Sequence, residues 1–216
     1  NVLVFLHNLW EYTIKNAKKE AAKLQQIMDK EGKGKKLEAW DWWYYAEKLR
    51  QQKYDLNEDA IKPYFSQEDV QKGLFYVVNK LYGITLTPTD TVPVYNKDVK
   101  TYIVNDADGS FLGLFYCDYM PRASKQSVAW MSNFREQKEG VRPLIYNVAS
   151  FTKPAGDTPS LLTIDEAKTM FHEFGHALHG MLSQCKYQGV SGTAVAQDFV
   201  ELPSQIMEHW TVEPEV

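Results

Sequence analysis

The most informative segment of this 216-residue chain reads Phe171-His172-Glu173-Phe174-Gly175-His176-Ala177-Leu178-His179. Apolar residues recur across and around it at spacings of three and four: Ala167, Met170, Phe171, Phe174, Leu178, Met181 and Leu182. This period predicts a single amphipathic helix. We expect the helix to begin near Thr163, which has capping-box spacing to Glu166, and to end near Ser183.

Two histidines four residues apart share one face of this predicted helix. His172 and His176 can therefore reach the same metal ion, and Glu173 projects beside them. A carboxylate at that place can take a proton from an attacking water and return it to a leaving amine. The alternative is a surface helix with two solvated histidines. Apolar flanks on both sides favour a buried site with one Zn²⁺, in which Glu173 is the catalytic base.

A zinc ion held by two histidines needs a third protein ligand, and a catalytic site leaves a fourth position open. Cys185 lies too close in the following loop, so the downstream candidates are Asp198, Glu201 and Glu208. Glu201 is favoured because apolar neighbours on a final predicted helix would hold it toward the core. We expect Glu208, two turns further on, to support the site or pair with a cation. Asp198 is expected to cap that helix.

Other residues near the motif have open interpretations. His179 lies three residues after His176, either as a polar group facing the site or as a core histidine bonded to backbone, and the second is favoured. His7 and His209 are taken as structural. Pro203 predicts a kink or irregular turn in the final helix.

The remainder of the chain predicts helices followed by a small sheet. Apolar spacing predicts helices over residues 3–28, 37–52 and 67–82, with Ser66 as the N-cap and Gly83 as the stop of the third. Five aromatic residues between positions 40 and 45 cannot all face one core; packing on two sides is favoured, and the lining of a cavity is the alternative. Strands are predicted at 92–95, 101–105, 111–117, 127–131 and 144–148, with a hairpin turn at 106–109. The strand at 127–131 could hold a substrate backbone along a sheet edge, or it could lie inside the sheet.

Composition excludes two classes of protein. Lys and Arg number 24 and Asp and Glu number 28, so the net charge of −4 argues against a nucleic-acid-binding protein. No apolar run approaches the ~20 residues of a membrane-spanning helix. Cys117 and Cys185 make no disulfide framework and are predicted to be small buried hydrophobes.

These motifs carry a resemblance to a known family. The segment 171–179, Ser191-Gly192-Thr193 and the run 198–210 (Asp-Phe-Val-Glu-Leu-Pro-Ser-Gln-Ile-Met-Glu-His-Trp) resemble the thimet oligopeptidase family of zinc metallopeptidases. The likeness is greatest to its bacterial peptidyl-dipeptidase (dipeptidyl carboxypeptidase) branch. It extends upstream through residues 115–119, 129–131, 142–148 and Lys153-Pro154, and includes the aromatic helix at 40–45.

The resemblance implies a fold, a site and an activity. It implies a mainly α, zincin-like catalytic region with a small antiparallel or mixed sheet beside one Zn²⁺. The ligands carried over are His172, His176 and Glu201, and the base is Glu173. The implied activity is hydrolysis of unstructured oligopeptides with release of C-terminal dipeptides; an endo-acting oligopeptidase is the alternative. Residues 95–99 and 125–128 depart from the family pattern, and the second departure lies near the expected substrate strand.

Members of this family are much longer than 216 residues, and their oxyanion-stabilising segment follows the third ligand. We therefore expect residues 1–216 to be part of one larger catalytic domain, with 1–90 helical, 91–150 a small sheet and 160–212 the zinc-binding helices. An inactive isolated fragment is a further alternative. A monomer in the cytoplasm is expected, and a periplasmic protein is left open.

Overall fold

A computed structural model describes residues 1–32, 34–54, 58–156 and 158–216, and the side chains of all of these except residues 58 and 59. The chain divides into two compact units, residues 1–60 and 61–216. A four-residue helix, α3 (Glu58–Ile61), spans the boundary between them in the sequence. Within the described residues, no helix is both long and apolar enough to cross a membrane.

The first unit contains two helices, α1 (Val2–Lys30) and α2 (Trp42–Tyr54), and a 3-10 turn precedes α2. Both predicted helices are confirmed. Their small core consists of Leu24, Ile27, Met28 and Tyr45. The predicted packing of the aromatic run on two sides is wrong, since Trp40 and Trp43 are 80% and 82% exposed. Among the described residues of this unit, Tyr45 of α2 lies in the core shared with α1, and the partly buried Trp42 packs against it.

The second unit begins with helix α4 (Gln67–Tyr82), as predicted from its caps. The Ser66 hydroxyl accepts a hydrogen bond from the backbone N–H of Asp69 at 3.1 Å. Gly83 ends the helix with a φ of 72°, a left-handed conformation that glycine adopts without strain.

A five-stranded mixed sheet follows, so the predicted fold class is confirmed. The strands are β1 (Thr85–Thr89), β2 (Lys100–Asn105), β3 (Phe111–Asp118), β4 (Trp130–Arg135) and β5 (Leu144–Val148). Their spatial order is β1-β2-β3-β5-β4. Only β3 and β5 are parallel; the other neighbours are antiparallel. The two edges of the sheet are therefore β1 and β4.

Two strand predictions need correction. The strand at 92–95 is not formed, because β2 already pairs with β1 on one side and β3 on the other. The sheet instead begins at Thr85, inside the segment 1–90 that was expected to be helical. The strand predicted at 127–131 starts only at Trp130 and continues to Arg135.

The metal-motif helix α5 (Ile164–Met181) packs on one face of this sheet. Its capping box is present as predicted, with Thr163 and Glu166 bonded reciprocally at 2.8 and 3.1 Å. The Phe115 ring of β3 meets the Phe174 ring edge-on, with centroids 4.9 Å apart. Cys117 is buried as predicted, whereas Cys185 is only half-buried in the loop after α5.

Candidate metal centre

Helix α5 and the short helix α6 (Leu202–Glu208) bring three predicted ligands to one point. One Glu201 carboxylate oxygen, Oε2, lies 3.2 Å from Nε2 of His172 and 3.2 Å from Nε2 of His176. One ligand atom from each residue falls within 4.8 Å of the others. In the part of the chain that is described, no other three histidine, cysteine or carboxylate side chains cluster in this way.

Glu201 is positioned by the first residues of α6. It occupies the N-cap position of α6, so the helix starts at Leu202 and Asp198 does not cap it. Pro203 lies in the first turn of α6, where a missing N–H costs nothing; of the predicted kink or irregular turn, the turn is present, at residues 197–201 just before the helix. The Ser204 hydroxyl donates to the Glu201 carboxylate at 2.8 Å. This hydrogen bond, with the nearby histidines, lowers the pKa of Glu201 and favours the anionic ligand form.

The backbones of α5 and α6 are almost in contact at Gly175. A Cβ added at Gly175 would lie 2.5 Å from the Cα of Ser204 and 2.8 Å from the carbonyl oxygen of Pro203. Only a residue without a side chain fits there. Gly175, one residue before His176, therefore sets how near Glu201 comes to the two histidines.

Glu208 makes the supporting contact that the sequence predicts. Nδ1–H of His172 donates to its carboxylate at 2.7 Å. This bond fixes the tautomer, because the proton on Nδ1 leaves the lone pair on Nε2, the atom that faces Glu201. His176 has no such partner: its Nδ1 is buried and unbonded among the described residues. Burial lowers the pKa of His176 and favours the neutral imidazole.

Glu173 lies beside the cluster but is not part of it. The residue is 8% exposed. Burial raises the pKa of its carboxyl, and the neighbouring Glu201 raises it further, while His172 and the backbone N–H of Met131 oppose the shift. The carboxylate is therefore a stronger base than an exposed glutamate.

His179 does not follow the favoured prediction. Its Nδ1 is buried without a hydrogen-bond partner in the described chain, so the expected backbone bond is absent. Its ring lies against that of Phe199, with centroids 6.2 Å apart. Two residues of the site were not predicted from the sequence: Ser204, which bonds the Glu201 carboxylate, and Gly175, which lets α6 approach α5. A hydroxyl three residues after Glu201 and a glycine inside a predicted helix could have indicated them.

Comparison with known proteins identifies the family. A family model described as Peptidase family M3 matches residues 1–216. The chain belongs to this family. The resemblance read from the motifs is thereby confirmed.

Individual relatives of this M3 chain include dipeptidyl carboxypeptidases and an oligopeptidase. Dipeptidyl carboxypeptidase of Salmonella typhimurium is 46% identical over 91% of this chain and 29% of its own length. The Escherichia coli protein of the same name is 42% identical over 99% of this chain and 32% of its own length. Oligopeptidase A of Escherichia coli is 38% identical over 99% of this chain and 32% of its own length. The chain thus spans about a third of the length of these relatives.

The donor set of this M3 chain fits a zinc ion. Two imidazole nitrogens and one carboxylate oxygen are the ligand types that Zn²⁺ takes in catalytic sites, which keep one position open. The tautomer of His172, the neutral form favoured at His176 and the anionic form favoured at Glu201 are each the ligating form. The buried, unbonded Nδ1 of His176 does not disturb this arrangement, since it points away from the cluster on the other side of the ring.

Replacing Gly175 with Ala tests the close approach of α5 and α6. The added methyl must displace the backbone of Ser204, and overpacking of this kind costs about 1–3 kcal/mol. We expect zinc affinity to fall about tenfold or more, measured by competition with a chelator. The matched control is Gly189→Ala, where a Cβ meets no atom within 4 Å. Equal zinc affinities in Gly175→Ala and Gly189→Ala would show that the close approach at Gly175 does not set the position of Glu201.

Proposed function

We propose that the full-length protein hydrolyses peptide bonds in short, unstructured peptides, with one Zn²⁺ held by His172, His176 and Glu201. The observation that carries this proposal is the convergence of three ligating atoms within 4.8 Å beside a buried carboxylate. Membership of peptidase family M3 supports it. Zinc, when bound, supplies a Lewis acid that polarises the scissile carbonyl and lowers the pKa of water.

The chain's own acid–base group in this proposal is Glu173. Burial raises the pKa of its carboxyl, which makes the carboxylate a better proton acceptor than an exposed glutamate. We assign it the transfer of one proton from the attacking water to the departing nitrogen. Glu201 is unsuited to that role, because Ser204 and both histidines stabilise its anionic form.

The peptide is proposed to lie along β4. This strand is at an edge of the sheet and pairs only with β5 in the described chain, so its other side offers backbone N–H and C=O groups. An extended peptide can add to such an edge as a further strand. Because β4 packs against α5, which carries Glu173, a peptide on this edge would pass near the base.

Release of C-terminal dipeptides is the proposed mode of cleavage. Two relatives named dipeptidyl carboxypeptidase are 46% and 42% identical to the chain. An endo-acting oligopeptidase is the second candidate, supported by oligopeptidase A at 38% identity. The cytoplasm as compartment and a monomeric state stay predictions.

Product analysis separates the two cleavage modes. The full-length protein is incubated with one long unstructured peptide, and the products are followed in time by mass spectrometry. We expect a ladder of C-terminally shortened peptides that differ by two residues, with free dipeptides. Internal fragments as first products would contradict dipeptide release and favour the endopeptidase. The isolated 216-residue chain, assayed in parallel, tests whether it is active alone.

A further inference from the structure

A buried ion cluster lies at the end of β3 and shares no residue with the candidate metal centre. Its centre is Asp118, the last residue of the strand, with a side chain only 1% exposed. Arg122 forms a bidentate pair with the carboxylate: Nη1 donates to Oδ1 and Nη2 donates to Oδ2, each at 2.8 Å. Lys125 donates to Oδ1 at 3.0 Å, and the Tyr95 hydroxyl donates to Oδ2 at 2.9 Å. The carboxylate thus accepts four hydrogen bonds from three side chains.

Lys125 ties this cluster to the backbone. Its side chain is 2% exposed. Besides the carboxylate, Nζ donates to the carbonyl oxygen of Asp118 at 2.6 Å and to that of Met120 at 3.0 Å. An ammonium group has three protons, so all three are used. The bonds fold the first residues after β3 around Asp118.

The charges of this cluster depend on one another. Burial alone would raise the pKa of the Asp118 carboxyl, but the bonds from Arg122, Lys125 and Tyr95 outweigh it and lower the pKa. Burial lowers the pKa of Lys125, and the Asp118 carboxylate opposes that shift. Loss of the carboxylate would leave two cations, one of them fully buried, without their shared partner.

The cluster lies next to the strand proposed to bind the peptide. Asp118 and Trp130 both pair with Val148 of β5, from opposite sides, so they stand in one row across the sheet. The connection 119–129, which contains Arg122 and Lys125, joins these two positions and leads straight into β4. Tyr95 provides a second connection between the cluster and β4, because its ring packs against the ring of Phe134 with centroids 5.9 Å apart.

We infer that Asp118 is a positioning residue for β4: with Arg122, Lys125 and Tyr95 it fixes the connection 119–129 and the entry of the edge strand. Trp130 and Met131 are the first residues of β4, and β4 packs against α5, the helix that carries Glu173. A shift of this entry would move a bound peptide relative to the base without touching the three ligands on α5 and α6. The catalytic half of this inference rests on the proposed function; the structural half does not.

The test uses Asp118→Asn in the full-length protein, because the amide keeps the shape but not the charge. Two readouts are measured: hydrogen exchange by mass spectrometry, and kcat and KM on a long peptide. We expect faster exchange in 119–135 with exchange in α5 (Ile164–Met181) unchanged, and full zinc content. A misplacement of the peptide by about 1 Å from the base can cost about a hundredfold in rate, so we expect kcat/KM to fall about tenfold or more, mainly through kcat. The matched control is Asp69→Asn, which removes a carboxylate from an exposed pair with Lys72 on α4.

Arg122→Gln is the second variant, for the case that Asp118→Asn does not fold. It removes two of the four hydrogen bonds while the Asp118–Lys125 pair stays, and the same effects are expected at smaller size. Unchanged exchange in 119–135, or faster exchange in α5 to the same degree, overturns the inference. Faster exchange in 119–135 with unchanged kcat/KM overturns its catalytic half. If the wild-type protein cleaves no peptide, the proposed function fails, and the exchange data still decide whether Asp118 positions β4.

Discussion

Replacing Glu173 with Gln in the full-length protein is expected to abolish nearly all turnover while zinc content stays at the wild-type level. The amide keeps the size of the side chain but cannot accept a proton. General base catalysis contributes about 10²–10⁴-fold, so kcat should fall by about that factor. Zinc should be retained, because the Glu173 carboxylate is not among the three converging ligand atoms.

The measurement combines steady-state kinetics on an unstructured peptide with elemental analysis of the same sample. Glu68→Gln is the matched control, since this side chain is exposed on α4, far along the chain from the site. Turnover within a few-fold of wild type in Glu173→Gln would exclude Glu173 as the base. Loss of zinc in that variant would instead place its carboxylate among the ligands.

Glu201→Ala and Glu208→Ala should differ sharply in bound zinc. Glu201 contributes an oxygen to the cluster, so its removal leaves only two protein ligands. We expect Glu201→Ala to be isolated without stoichiometric zinc. Glu208 only orients His172 through Nδ1, and loss of such a partner weakens metal binding about 10–100-fold. Glu208→Ala should therefore still bind one ion, with lower affinity.

Zinc per molecule after dialysis separates these two roles, and chelator competition gives the affinity. Both variants delete the same side chain from the same segment, so each serves as the control for the other. If Glu208→Ala loses its zinc and Glu201→Ala keeps it, the assignment of ligand and supporting residue is reversed. Equal retention in both would remove Glu201 from the ligand set.

The metal-motif helix was the most predictable part of the fold, because local signals agree there. The period of apolar residues, the reciprocal cap at Thr163 and Glu166, and the spacing of His172 and His176 all act within a few turns of one helix. The ends of α4 were predictable for the same reason. Each of these features depends on residues near one another in the chain.

Features that depend on distant partners were missed. Residues 92–95 have strand-forming composition but find no free strand beside β2, whereas β1 pairs there despite Pro88, which an edge strand tolerates. The exposure of Trp40 depends on which elements are available to cover α2. The approach at Gly175 depends on the path of α6, which sequence spacing does not define.

The central claim is that α5 and α6 together hold one zinc ion. The most direct measurement is an anomalous-difference map at the zinc edge from crystals of the full-length protein. The account predicts one peak about 2.0–2.2 Å from Nε2 of His172, Nε2 of His176 and a Glu201 carboxylate oxygen. A peak coordinated by other residues, or by the two histidines without Glu201, would contradict it.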